Sequence, residues 1–78
     1  MLVHIKLFSR FRELLPRDAR GEADIDLPPK TTVEQLLDHL GVTGTVKLID
    51  VNGTRETDRA CLLREGDTVR IFPFVVGG

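Results

Sequence analysis

The chain has 78 residues, of which 41% are hydrophobic and 29% charged, and its eleven basic and twelve acidic side chains leave a formal net charge of -1. That length holds a single domain with a small core, since only about 60% of the unfolded surface can be buried at this size. The charge balance excludes the basic footprint of a nucleic-acid or anionic-membrane binder.

Residues 2–8, LVHIKLF, place Val3, Ile5 and Leu7 on one face and His4, Lys6 and Phe8 on the other, the period of a half-buried strand. In SRFRELLP, Ser9 reads as an N-cap, Phe11, Leu14 and Leu15 share a face, and Pro16 stops one or two helical turns. After a polar loop, EADIDLP alternates again with Ala23, Ile25 and Leu27 apolar, predicting a second strand. The spacing predicts a helix over 32–40. Thr31 or Thr32 caps it, Glu34 or Gln35 completes a capping box, and Val33, Leu36, Leu37 and Leu40 form one apolar stripe. Gly41 stands at the left-handed C-cap position.

VKLIDVNGTRE reads as a strand, an Asn52-Gly53 turn and a short returning strand. Residues 58–65 are expected to hold a turn of helix with Leu62 and Leu63 inward, before a Glu65-Gly66-Asp67 turn. The last strand is TVRIFPF, with Val69 and Ile71 alternating against Arg70 and Phe72, and Pro73 suits the point where pairing ends. One amphipathic helix must then cover one face of a mixed sheet. This order is that of an α+β, ubiquitin-like β-grasp: four or five strands on one main helix, the last strand parallel to the first across the middle. Residues 1–74 are the domain, and 75–78 a flexible tail ending in Gly-Gly.

The chain offers little for an active site of its own. His4 and His39 are the only imidazoles and share no metal-ligand spacing with each other or with Cys61. No phosphate loop or nucleophile elbow is present. The lone Cys61 excludes an internal disulfide framework and reads as a small buried hydrophobe. No apolar run spans a bilayer, and MLVHIKLF lacks the zones of a signal peptide, so a soluble cytoplasmic protein is the simplest expectation.

The tail, FPFVVGG, is the exception. Two adjacent glycines bring no side chain to a core and lose much conformational freedom if ordered. A terminal carboxylate is ionised at neutral pH and inert as an acyl donor, yet as a mixed anhydride with AMP it becomes a strong electrophile. An adenylylating enzyme must draw the chain end into a narrow channel, and glycine allows that close approach. A frayed glycine end with no role is the bland alternative.

The segments LFSRFRELL, TTVEQLLDHLG, VNG and LREGDTVRIFPFVVGG together resemble the sulfur carriers related to MoaD and ThiS, over essentially the whole chain. The FSRFRELL passage is closer to MoaD, the small subunit of molybdopterin synthase. The ending departs from the usual MoaD form, FPPVAGG, at Phe74 and Val76. The resemblance implies that an activating enzyme uses ATP to adenylate Gly78, that a sulfurtransferase or the activating enzyme supplies sulfur, and that the resulting thiocarboxylate donates it. An acceptor such as a molybdopterin synthase large subunit receives the sulfur in molybdenum or tungsten cofactor synthesis. Val75, Val76 and Gly77 would thread the partner's channel. The chain would be a cosubstrate rather than an enzyme, with no bound cofactor, metal, nucleic acid or membrane.

Alternation sends His4, Lys6, Leu48, Asp50, Arg70 and Phe72 to the sheet face away from the helix. Phe72, Phe74, Leu48 and Arg70 are therefore the expected partner contacts. Two other readings remain open: a ubiquitin-like modifier conjugated through Gly78, and a non-covalent β-grasp adaptor with an idle tail.

Overall fold

The computed structural model describes residues 1–75. Its strands are β1 (Leu2–Leu7), β2 (Glu22–Asp26), β3 (Leu48–Val51), β4 (Thr54–Arg55) and β5 (Thr68–Phe72), and its one α-helix is α1 (Val33–Leu40). Two short 3-10 segments, Ser9–Leu14 and Arg17–Ala19, connect β1 to β2. The strands form one mixed sheet in the order β2-β1-β5-β3-β4. β1 runs antiparallel to β2 and parallel to β5, and β5 runs antiparallel to β3. The first and last strands thus lie side by side at the centre, which is the topology of the ubiquitin-like β-grasp.

Local chemistry explains where α1 starts and stops. The Thr32 hydroxyl accepts the Gln35 amide at 3.2 Å, and the Gln35 side-chain oxygen accepts the Thr32 amide at 2.9 Å, a closed capping box. Gly41 ends the helix at φ +75°. Val33, Leu36 and Leu37 are buried and pack with Val3, Ile5, Val69 and Ile71 in the single core between helix and sheet, with Leu40 at its margin. The β3–β4 hairpin turns through Asn52 (φ +54°) and Gly53 (φ +87°), the two positive φ angles that match a tight hairpin to strand twist.

Three local expectations are corrected. Ser9 is not an N-cap: it lies within the 3-10 helix at φ +56°, and Phe8 precedes it with no side-chain cap. The Phe8 amide still donates to the Ile71 carbonyl at 3.3 Å, so the chain stays extended through Phe8 and must turn abruptly at Ser9. Phe11 is buried, but Leu14 is exposed, and Leu15, in extended backbone, packs against the core instead. Residues 58–65 hold no helix. The backbone there is extended, with Leu62 bridging Thr32 and the Leu63 amide bonded to the Thr31 carbonyl at 2.9 Å. Extended residues alternate, so Leu63 is 3% exposed and Leu62 54%.

Candidate functional site

β5 organises the site because it lies in the middle of the sheet and leads directly into the tail. Its Val69 and Ile71 are fully buried against α1, so Arg70 and Phe72 project from the opposite face. Register aligns the outward side chains in rows across the strands. One row runs Glu22, Lys6, Arg70, Asp50 and Arg55, alternating in sign apart from the Lys6–Arg70 step. The next row, toward the tail, is apolar. Phe72 pairs with Leu48 of β3 on one side and meets Phe8 on the other.

Phe72 is the centre of an aromatic cluster. Its ring stacks on Phe8 with centroids 4.1 Å apart and planes 15° apart, and Phe74 meets it edge-on at 5.9 Å. The Arg70 guanidinium lies 5.7 Å from its centroid, within reach of a cation–π attraction. So enclosed, Phe72 is only 5% exposed although it faces away from the helix. The expectation that it offers itself directly to a partner needs this correction: its ring positions its neighbours. The accessible apolar surface belongs to Phe74 and Val75, both exposed, with Phe8 and Leu48 half-buried beside them.

The charged row is braced rather than loose. Arg70 donates to Asp50 Oδ2 at 2.6 Å, while Asp50 Oδ1 accepts the Gly53 amide at 2.9 Å. Asp50 is thereby buried on the outward face, and its hydrogen bond from Arg70 holds its carboxyl below the usual range despite the desolvation. His4 is gripped by two carboxylates of β2, with Nδ1 2.6 Å from Asp24 and Nε2 2.9 Å from Glu22. Only the imidazolium can donate from both nitrogens. The Asp24 bond, followed by that to Glu22, raises the pKa of His4 above its ordinary 6.5.

Of the expected tail residues, Val75 is described, and Val76, Gly77 and Gly78 lie outside the described residues. Leu48, Arg70, Phe72 and Phe74 come together at the tail end of β5 as one surface. Cys61 is half-buried beside Glu56, whose hydrogen bond raises the thiol pKa, which opposes thiolate formation. His39 is exposed on α1. Among the described residues no cluster of three His, Cys, Asp or Glu side chains could hold a metal, and no helix is long and apolar enough to cross a membrane. Sequence reasoning left Phe8 and Asp50 out of the candidate contacts. Their alternation pattern put both on the right face, but their partners become visible only with the strand register.

The sequence model of the ThiS family matches residues 5–78. Among solved structures, the chain is similar to a protein assigned as subunit 1 of molybdopterin converting factor from Pyrococcus furiosus. The two are 30% identical with a TM-score of 0.76, over 96% of this chain and 99% of that one. It is also similar to SAMP1 from Haloferax volcanii, at 25% identity and a TM-score of 0.70 over the whole of both chains. A third likeness, of fold alone, is to the complex of subunits 1 and 2 of molybdopterin-converting factor from Helicobacter pylori 26695, with 20% identity and a TM-score of 0.68 over the whole of both chains. No curated protein sequence matches the chain.

Proposed function

The chain belongs to the ThiS family, and from that membership we propose that it is a sulfur carrier whose Gly78 carboxylate is the working group. An activating partner transfers AMP from ATP to the carboxylate and releases pyrophosphate. A persulfide sulfur attacks the acyl carbon and displaces AMP, and a second thiol cleaves the sulfur–sulfur bond, leaving the thiocarboxylate on Gly78 and a disulfide on the donor. The thiocarboxylate, a soft nucleophile, then gives its sulfur to a substrate on an acceptor enzyme. In this scheme ATP is consumed by the partner, no cofactor resides in the chain, and the protein is a cosubstrate rather than a catalyst.

The observation that carries this reading is the position of the tail. The central strand β5 ends at Phe72, and the exposed Phe74 and Val75 lead on from it toward Val76, Gly77 and Gly78. The family match continues through those last residues to Gly78. A partner that seats on Phe74, Val75, Leu48 and Arg70 would grip the chain immediately before the segment it must thread. The likeness to subunit 1 of molybdopterin converting factor supports molybdenum or tungsten cofactor assembly as the pathway, with a large-subunit acceptor. Intact-mass analysis of the protein purified from its own host tests the reading. A population heavier by the difference between sulfur and oxygen, lost on mild hydrolysis, is the expected result.

The similarity to SAMP1, the small archaeal modifier protein 1, favours a second reading in which the same adenylate passes to a lysine amine of a target. Gly78-linked species that survive a denaturing gel would support it.

A further inference from the structure

Three arginines of the β1–β2 connection, Arg12, Arg17 and Arg20, converge on one surface cleft of about 530 Å³. Among the described residues Glu13 is the single carboxylate of its lining, so three positive charges face one negative. None of the three guanidinium groups has a hydrogen bond or ion pair among the described residues. By contrast, Arg10 bonds the carbonyls of Thr43 and Thr45 at 3.3 and 3.1 Å, Arg59 meets Glu34 at 3.5 Å, and Arg70 meets Asp50 at 2.6 Å. A second cleft of about 270 Å³ shares Arg12 and Arg20 and adds Lys6.

The backbone around the cleft departs from what folding alone favours. Arg20 sits at φ +54° and Ser9, which also lines the cleft, at φ +56°, both in the left-handed region where glycine fits without steric cost. Left-handed non-glycine residues held in place by their surroundings concentrate at ligand sites. Gly21, at φ +78°, serves the same cleft differently. A Cβ there would stand 3.0 Å from Arg12 Cγ and 2.7 Å from the Leu7 carbonyl oxygen, so its absence lets the Arg12 side chain lie across the backbone.

We propose that this cleft binds a small molecule bearing a diphosphate group. A guanidinium fork takes two oxygens of a phosphate or carboxylate at once, and three such forks match the six terminal oxygens of a diphosphate. A lone carboxylate would leave most of the lining charge unanswered. The volume falls in the range of about 300–1,000 Å³ usual for small-molecule sites, so the cleft has room for an organic group beyond the phosphates. An acidic protein segment would need an extended basic track, whereas the adjoining sheet row includes Glu22 and Asp50 among its cations. The site does not depend on the chemistry of Gly78.

The test is an NMR titration of the full chain in about 150 mM salt, where long-range charge effects are screened, using pyrophosphate, ADP, AMP and a glutamate-rich peptide. Saturable shifts confined to residues 9–21, with pyrophosphate and ADP binding at least tenfold more tightly than AMP, are expected. Arg17→Ala and Arg20→Gly should each weaken binding by at least about tenfold. Because glycine is at ease at the Arg20 backbone angle, Arg20→Gly should keep or raise the melting temperature while binding falls. Shifts that are absent, that spread equally to Lys47, Arg55 and Arg59, or that persist in both variants would overturn the proposal. Binding of the peptide alone would overturn it in favour of a protein contact.

Discussion

The rings of Phe8 and Phe72 lie 4.1 Å apart and nearly parallel, joining the end of β1 to the end of β5 on the face away from α1. Phe72 is buried by this contact, and a buried phenylalanine contributes chiefly to stability. Phe72→Ala should therefore cost about 3–5 kcal/mol in chemical denaturation. Phe74→Ala should change stability by less than about 0.5 kcal/mol, because the ring is 46% exposed. Its effect should fall on partner binding, where exposed aromatic contacts often cost about 2 kcal/mol or more when truncated. Titration calorimetry with the activating or acceptor enzyme separates the two. An unchanged affinity for Phe74→Ala with every partner would place docking elsewhere.

Leu62 and Leu63 offer a paired test of the extended segment that packs beside α1. Leu63→Ala and Leu36→Ala should each lose about 2–5 kcal/mol, since both side chains are buried in the core. Leu62→Ala should lose almost nothing. Equal losses at the two neighbours would show that the segment is helical after all.

How much of this was legible in the sequence depended on how local each cause is. Helix α1 could be read residue by residue, since Thr32, Gln35, the apolar stripe and Gly41 all act within a few positions of one another. The hairpin was equally plain from Asn52-Gly53. The central pairing of β1 with β5 followed from element order, because the β-grasp leaves few alternatives. The Phe8–Phe72 stack was hidden, since it depends on the register of two strands from opposite ends of the chain. Ser9 misled for a related reason: the parallel partner keeps Phe8 extended, and tertiary pairing overrides the capping preference of serine. At residues 58–65 the contacts with Thr31, Thr32 and Val33 likewise displaced a helical turn that Leu62 and Leu63 seemed to favour locally. For the candidate site, alternation gave the correct face for Arg70, Leu48 and Phe72 but could not say which of them its neighbours would cover.

His4 should give the fold a measurable pH dependence near neutrality. Its pKa is raised in the folded state, first by the hydrogen bond to Asp24 and then by that to Glu22. The stabilisation is thus fully present below the unfolded value of 6.5 and is lost as pH rises through the higher folded value. NMR should show His4 titrating above 6.5 and His39, exposed and unpaired with carboxylates in the described residues, titrating separately. Thermal melting should fall between pH 6 and pH 8.5 in the native chain, and His4→Gln should flatten that slope. A slope unchanged by the substitution would remove His4 as its source.

Asp50 works in the opposite sense. Its carboxyl is held low, first by Arg70, so the pair stabilises the fold above the ordinary value of 3.8 and loses that effect as pH falls through the lower folded value. Asp50→Ala should cost about 1–3 kcal/mol, because the Gly53 amide loses its acceptor along with the ion pair. Asp50→Asn, which can still accept from Gly53, should cost less. A larger loss for Asn than for Ala in urea melts would contradict this division of roles.

The central claim is that Gly78 carries the chemistry, and one reconstitution tests it most directly. The chain, its activating enzyme, ATP and a sulfur donor are mixed in a single turnover and read by intact mass, beside a form lacking Gly78. Deletion draws the carboxylate back by about 3.3–3.6 Å of extended chain, whereas about 1 Å of misplacement can already slow a positioned reaction a hundredfold. The account predicts that the native chain exchanges one oxygen for one sulfur while the shortened chain, equally stable to heat, does not. Equal thiocarboxylate formation by both forms, or none by the native chain with a demonstrably active cognate enzyme, would contradict it.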